Sequence, residues 1–288
     1  MSILVGRKDG RFEIKALEIH ITHACNLHCD GCRHYSNYNH KGELSLDQYK
    51  DWLSSWAERV TPRKFRLLGG EPTLNQQLVP MIYYAAELWP DATRQLTTNG
   101  YFLHRHEGLI EALTATNTRV ALTIHSKDPT YMKRVREFED ALNIHGEKTG
   151  VNLFHNDRTD VWSHYYKGVG STMRPFDDKN PRQSWEKCPC RFCPQIHENR
   201  LWKCPPIAYL PMQLKKFGLT DHPQWRDYAR YDSLGLEGSD AEFEDFLTRE
   251  EEPICGMCPA NPVYVQEKTM DWKKEFRVEE PITSDAAE

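Results

Sequence analysis

The chain has 288 residues, 39% of them hydrophobic and 27% charged, with a formal net charge of -5. That length allows one large core, or a large core with a small module. The acidic balance argues against a broad nucleic-acid-binding surface, and no apolar run approaches the roughly 20 residues of a membrane helix. Nine cysteines, in a chain whose Met1–Lys15 lacks a signal-peptide apolar stretch, point to a reducing, cytoplasmic setting and to metal ligation rather than disulfides.

Leu17, Ile19 and Ile21 alternate with Glu18, His20 and Thr22, a period of two that predicts a strand. Ser45 and Gln48 form a capping box for a helix reaching about Arg59. Phe65–Leu68 is a short strand ending at Gly69-Gly70. Asn75 is expected to cap the next helix, with Leu78, Ile82 and Ala86 at helical spacing and Pro80 in its first turn. Strands follow at Arg94–Thr98, Val120–Ile124 and Val151–Phe154, with helices at Glu107–Thr114 and Asp128–Gly146. Strands alternating with helices indicate an α/β fold whose parallel sheet closes wholly or partly into a barrel, with cysteines and glycines at its C-terminal rim. His155–Glu186 reads as a loop-rich connector. The charges of Asp128–Gly146 and the acidic stretch Asp240–Glu252 are expected to face solvent.

Cys25, Cys29 and Cys32 have C-x3-C-x2-C spacing. Three thiolates on one loop can hold three corners of a cubane iron–sulfur cluster and leave the fourth iron free. Half of a zinc site is the alternative, although structural zinc favours paired C-x2-C knuckles. The loop resembles the cluster motif of the radical S-adenosylmethionine (radical SAM) enzymes. Gly69-Gly70-Glu71-Pro72 resembles their GGEP segment, which approaches the methionine amine, and Leu96–Gly100 resembles the strand-to-turn segment that follows it. The resemblance covers about residues 15 to 155. It departs at Gly31, where the family usually has an aromatic residue, so adenine contacts do not transfer to that position. It implies a partial (β/α)6 barrel of radical SAM type.

Six cysteines remain. Cys255 and Cys258 form C-x2-C, and Cys204 ends a hairpin over Gln195–Lys203. This arrangement resembles the Twitch or SPASM auxiliary-cluster module. Asn199 stands where that pattern has glycine, and asparagine is the best non-glycine residue for a positive-φ turn. The resemblance implies that Cys188, Cys204, Cys255 and Cys258 hold one auxiliary [4Fe–4S] cluster, with Cys193 as alternative to Cys188. A structural zinc site remains open, and Cys190 is a candidate radical-quenching thiol. The expected divisions are 1–155 (core barrel), 156–187 (connector), 188–278 (small cysteine-rich module) and 279–288 (acidic tail).

By resemblance, a cubane on Cys25, Cys29 and Cys32 chelates S-adenosylmethionine, which is cleaved reductively to a 5′-deoxyadenosyl radical that takes hydrogen from the substrate. A flavodoxin- or ferredoxin-type protein supplies the electron. Gly69, Gly70 and Glu71 are expected beside the cofactor, as are Thr98, Asn99 and Ser126. His164, Tyr165 and Tyr166 read as packing residues, with proton or hydrogen-atom donation as the competing reading. No catalytic acid or base is singled out. The expected substrate is a small molecule, sugar or nucleotide-linked metabolite. Modification of a ribosomally made peptide is the alternative, weakened by a first strand expected near Ile14, which leaves no amino-terminal peptide-recognition domain. A non-catalytic metal-binding or redox-sensing protein is the remaining class, but a sensor needs no methionine-binding loop.

Overall fold

The computed structural model describes residues 2–29, 31–125, 127–149, 151–157 and 162–265. Strands β1 (Leu4–Lys8) and β2 (Arg11–Ile14) form a hairpin. Its turn is Asp9-Gly10, both at positive φ (49° and 79°), the conformation that an Asp-Gly hairpin supplies. The expected start near Ile14 is therefore corrected: a hairpin precedes it, and β2 pairs in parallel with β4 (Val60–Pro62).

The main sheet is built from β3 (Leu17–His20), β5 (Lys64–Leu68), β6 (Thr93–Thr98), β7 (Arg119–Ile124) and β8 (Leu153–Asp157). These run parallel in that spatial order. Helices α1 (Leu46–Ala57), α2 (Leu78–Leu88), α3 (Leu109–Ala115) and α4 (Pro129–Thr149) lie between them in sequence. The remaining described elements are β9 (Trp162–Ser163), α5 (Pro181–Lys187), β10 (Gln195–His197), β11 (Arg200–Trp202), α6 (Pro205–Lys216), α7 (Asp240–Thr248) and β12 (Tyr264–Val265). The α/β class and the partial barrel are as expected. One strand joins from outside the first 155 residues: β10 pairs in parallel with β3, on the opposite edge from β8, and β11 pairs antiparallel outside it. The β10–β11 turn holds Glu198 and Asn199 at φ 51° and 54°, as the Asn199 reading requires.

Side-chain alternation explains the layering. Leu17, Ile19, Phe65, Leu67, Leu96, Val120 and Leu122 point outward into the main core, which also contains Tyr49, Leu53 and Trp56 of α1, Met81 and Ile82 of α2, and Tyr131, Val135 and Phe138 of α4. The opposite face carries Glu18, His20, Arg66, Gln95, Thr97 and Thr123. Parallel strands are usually apolar on both faces, and barrel interiors usually fill with branched aliphatics. Here the inner face is polar, and it lines a cavity of about 500 Å³.

Two local expectations change. Asn75 does not cap α2, which starts after Gln77. Its amide instead donates to the carbonyls of Ile21 (3.0 Å) and Leu44 (2.9 Å), tying the cysteine-loop entrance to the turn before α2. The acidic stretch is not simply solvated. Glu252 is buried between Lys203 (3.4 Å) and Arg249 (3.0 Å), while Arg7 and Arg59 pair with Asp240.

A second core beside the sheet gathers Tyr35, Tyr38, Tyr165, Tyr166, Met173, Tyr209 and Trp225. Tyr166 donates to the Tyr38 hydroxyl at 3.1 Å. Tyr165 and Tyr166 are thus packing residues in this structure.

Candidate active site

Cys25 and Cys29 are buried together around Leu27, with Cys32 packed against them. The loop after β3 that carries them is held from below by the GGEP turn. Gly70 N–H donates to Thr22 O and Glu71 N–H to Ala24 O, both at 2.8 Å. A Cβ on Gly70 would overlap the Ala24 carbonyl, so glycine is required by the cysteine loop's own backbone. Gly69 and Gly70 also line the cavity. At Gly31 (φ 73°) a Cβ would sit 2.9 Å from the His164 ring and 3.1 Å from Ser163 O. The segment leading to the second core therefore occupies the space that an aromatic residue would need.

Glu71 is the buried anchor of this end. Its carboxylate accepts hydrogen bonds from Thr73 N–H (3.1 Å), the Thr73 hydroxyl (2.6 Å), the Thr98 hydroxyl (2.5 Å) and Asn99 N–H (2.7 Å). Burial raises its pKa, and these donors oppose the rise. With its oxygens so engaged, Glu71 fixes the loop to the end of β6. The Asn99 amide continues the chain of contacts by donating to Asn26 of the cysteine loop at 2.8 Å. Thr98 and Asn99 both line the cavity beside the three cysteines. Ser126 lies outside the described residues. Its neighbour His125, which sequence reasoning missed, places Nδ1 3.7 Å from Cys29 Sγ; its position just after a buried strand on the C-terminal rim was the available signal.

The second cysteine group gathers at the edge of the second core, where Cys188, Cys204 and Cys258 pack. Cys204 precedes Pro205-Pro206 at the start of α6, and Cys255 and Cys258 flank a tight turn closed by Cys258 N–H on Cys255 O at 3.1 Å. Burial, then Cys190, Cys255 and Cys258, push the Cys204 thiol up. Cys190 belongs to this group: the Cys188 thiol hydrogen-bonds to it and, with Arg33, lowers it to about 7 against the effect of burial. Cys193 points elsewhere, receiving a hydrogen bond from Arg66 Nη1 at 3.6 Å within the cavity. Cys190 thus lies beside Cys188, while Cys193 is tied to Cys190 by its N–H on the Cys190 carbonyl at 3.0 Å.

Among the described residues, no three His, Cys, Asp or Glu side chains converge as they would on a single ion. Both groups consist of thiols, the donor set that suits iron–sulfur clusters, and a cubane spreads its ligands over separate corners. The three thiols of the first loop fit that cofactor.

Histidines near the first loop form a separate cluster in which His20 is buried and His23, His34 and His197 are half-buried. His20, His23, His34 and His197 surround Tyr209 at ring distances of 4.6–5.8 Å, and His20 Nδ1 lies 2.9 Å from His23 Nδ1. Burial is the main cause that lowers His23 to about 4, His34 to about 3 and His197 to about 4.

Two outcomes follow from this geometry. Glu71→Gln places an NH2 group where donors now converge. Chemical denaturation should show a loss of about 1–3 kcal/mol, with less iron retained after reconstitution. The histidines stay neutral in the native state, whereas the unfolded chain protonates below about pH 6.5. Stability is then full above that pH and falls as pH drops toward 4. Urea midpoints measured between pH 7.5 and 4.5 should decline, and less steeply in His197→Gln; a flat wild-type profile would contradict the assignment.

Residues 19–147 match the model of the Radical SAM superfamily. A probable GTP 3′,8-cyclase of Sulfolobus acidocaldarius is 33% identical over 123 residues, 43% of this chain and 38% of that protein. The GTP 3′,8-cyclase of Aquifex aeolicus is 24% identical over 180 residues, 56% of this chain and 55% of that protein. The chain thus spans about half the length of these relatives or less. A crystal structure of BtrN in complex with AdoMet and 2-DOIA aligns with a TM-score of 0.48 and 17% identity, covering 90% of this chain and 97% of that one. Residues 19–147, a little under half of the chain, are a radical SAM domain.

Proposed function

We propose that the protein cleaves S-adenosylmethionine reductively and uses the resulting radical to take hydrogen from a small, nucleotide-linked or sugar-like substrate held in the barrel lumen. The observation that carries this reading is the union of three features in one cavity: the three-cysteine loop, the GGEP turn bonded to it, and a polar interior open to a substrate. When bound, a cubane with one unligated iron supplies the electron transfer and the cofactor-binding corner. Cys25, Cys29 and Cys32 hold that group. Glu71 keeps the GGEP turn, the β6 end and the cysteine loop at fixed separation. Asn99 and Thr98 present polar groups to the cofactor side.

The relatives named GTP 3′,8-cyclase favour a nucleotide-linked substrate over a peptide. Cys188, Cys204, Cys255 and Cys258 are proposed to hold an auxiliary [4Fe–4S] cluster, with Cys190 and Cys193 as the competing thiols. A flavodoxin- or ferredoxin-type donor in a reducing compartment is the proposed electron source. Among the described residues no helix is long and apolar enough to cross a membrane.

Anaerobically reconstituted protein, reduced with dithionite in the presence of S-adenosylmethionine, should release 5′-deoxyadenosine. Cys29→Ala should abolish the product and lose one cluster's iron and sulfide. The double variant Cys255→Ala, Cys258→Ala should lose the other. No product from the wild type would favour a sensor, and zinc in place of iron at the second group would remove the auxiliary cluster.

A further inference from the structure

The six later cysteines divide by what they face. Cys190 and Cys193 line the lumen, whereas Cys188, Cys204, Cys255 and Cys258 do not. The turn that carries the pair explains the division. Pro189 and Pro194 flank it and fix φ at both ends. Within it Cys193 N–H donates to Cys190 O at 3.0 Å, a bond that brings the two Cα atoms within about 7 Å. Disulfides span up to about 6.8 Å between Cα atoms, so the turn sets the pair in bridging range. Arg191 and Phe192, between the two cysteines, pack the other way on Trp185, at 5.5 Å and 6.2 Å from its ring. Pro194 O accepts from Glu18 N–H at 2.9 Å, which ties the turn to β3, the strand that leads into Cys25.

An inert structural thiol is enclosed by apolar atoms; these two are not. Arg66 Nη1 donates to Cys193 Sγ at 3.6 Å, and the Arg33 guanidinium hydrogen-bonds Cys190. Cys25, Cys29 and Cys32 line the same cavity. We propose that Cys190 and Cys193 are a redox-active dithiol that returns a hydrogen atom to the substrate radical. In this step one cysteine's S–H bond breaks homolytically, a C–H bond forms on the substrate, and a thiyl radical is left. The second thiol gives its proton to solvent, and its thiolate joins the thiyl as a disulfide radical anion. The extra electron passes to a one-electron carrier protein of flavodoxin or ferredoxin type. An external dithiol then reopens the disulfide by exchange and is itself oxidised. Arg33 and Arg66 place positive charge beside the sulfurs while negative charge develops on the pair. The proposal rests on the radical SAM reading, and it takes Cys188 as the ligand of the second group.

Peptide mapping of the reconstituted wild type tests the pairing without turnover. The protein is equilibrated anaerobically with oxidised glutathione, alkylated and cleaved with trypsin. Cleavage after Arg191 separates residues 188–191 from 192–200, so a Cys190–Cys193 disulfide should appear as these two peptides linked, with iron and sulfide content unchanged. Turnover supplies the second readout. With dithionite and S-adenosylmethionine in deuterium oxide, without substrate or added thiol, the unspent radical should take deuterium from the exchanged thiols. Deuterium in the released 5′-deoxyadenosine should fall to background in the Cys190→Ser, Cys193→Ser double variant, whose iron content should match the wild type. Absence of the linked peptides, or equal deuterium in variant and wild type, overturns the dithiol. Iron lost from the variant marks the pair as cluster ligands and overturns it too. Absence of 5′-deoxyadenosine from the wild type sinks the radical reading instead, and leaves the peptide map interpretable.

Discussion

One buried carboxylate holds the reactive end of this molecule together. Glu71 is 1% exposed and accepts hydrogen bonds from the turn that follows it and from the last residues of β6. Its own N–H reaches the cysteine loop through Ala24, and Asn99 reaches the same loop through Asn26. A buried charge persists only when such donors replace water. The contacts make three chain segments into one rigid frame, and the thiols sit on it. Tyr131 of α4 adds a brace by donating to Asn99 O at 2.7 Å.

The second determinant is the inversion of the sheet's usual chemistry. Outward residues of β3, β5, β6 and β7 bury against the helices as expected, while the inward set is charged or polar. An apolar interior would close a barrel of this size by packing alone. A polar interior leaves room for a ligand and concentrates charge where water is limited. β10 completes the wall on the β3 side, so the hairpin that leads into the second cysteine group is also part of the lumen. Arg33, directly after Cys32, lies against Cys190 and over the Tyr165 ring at 5.2 Å. The two cysteine groups therefore share an intervening layer of side chains.

Much of this was legible in the sequence because it is local. The cysteine spacing, the GGEP segment, the Ser45 cap and the positive φ at Asn199 depend on residues a few positions apart. The structure keeps Ser45 as the α1 cap, its hydroxyl accepting from Gln48 N–H at 3.1 Å. What escaped was non-local. A period of two in β3 identifies two faces but not whether either meets solvent, and Glu18 and His20 are both buried at 4%. The partner of β10 is 177 residues away in the chain when measured from Glu18 to Gln195, beyond any periodicity argument. The Asp9-Gly10 hairpin was readable from its turn residues and from the alternation of Phe12 and Ile14 with Arg11 and Glu13, and was missed. Lys64 and Arg66 resemble ordinary surface charges until the register places them inside.

Electron–nuclear double resonance on the reduced protein, with S-adenosylmethionine labelled at the methionine amine with a magnetic nitrogen isotope, tests the open-iron geometry most directly. A hyperfine coupling between that nitrogen and the cluster held by Cys25, Cys29 and Cys32 is the expected result. A cluster signal unchanged by the cofactor, with no nitrogen coupling, would contradict it.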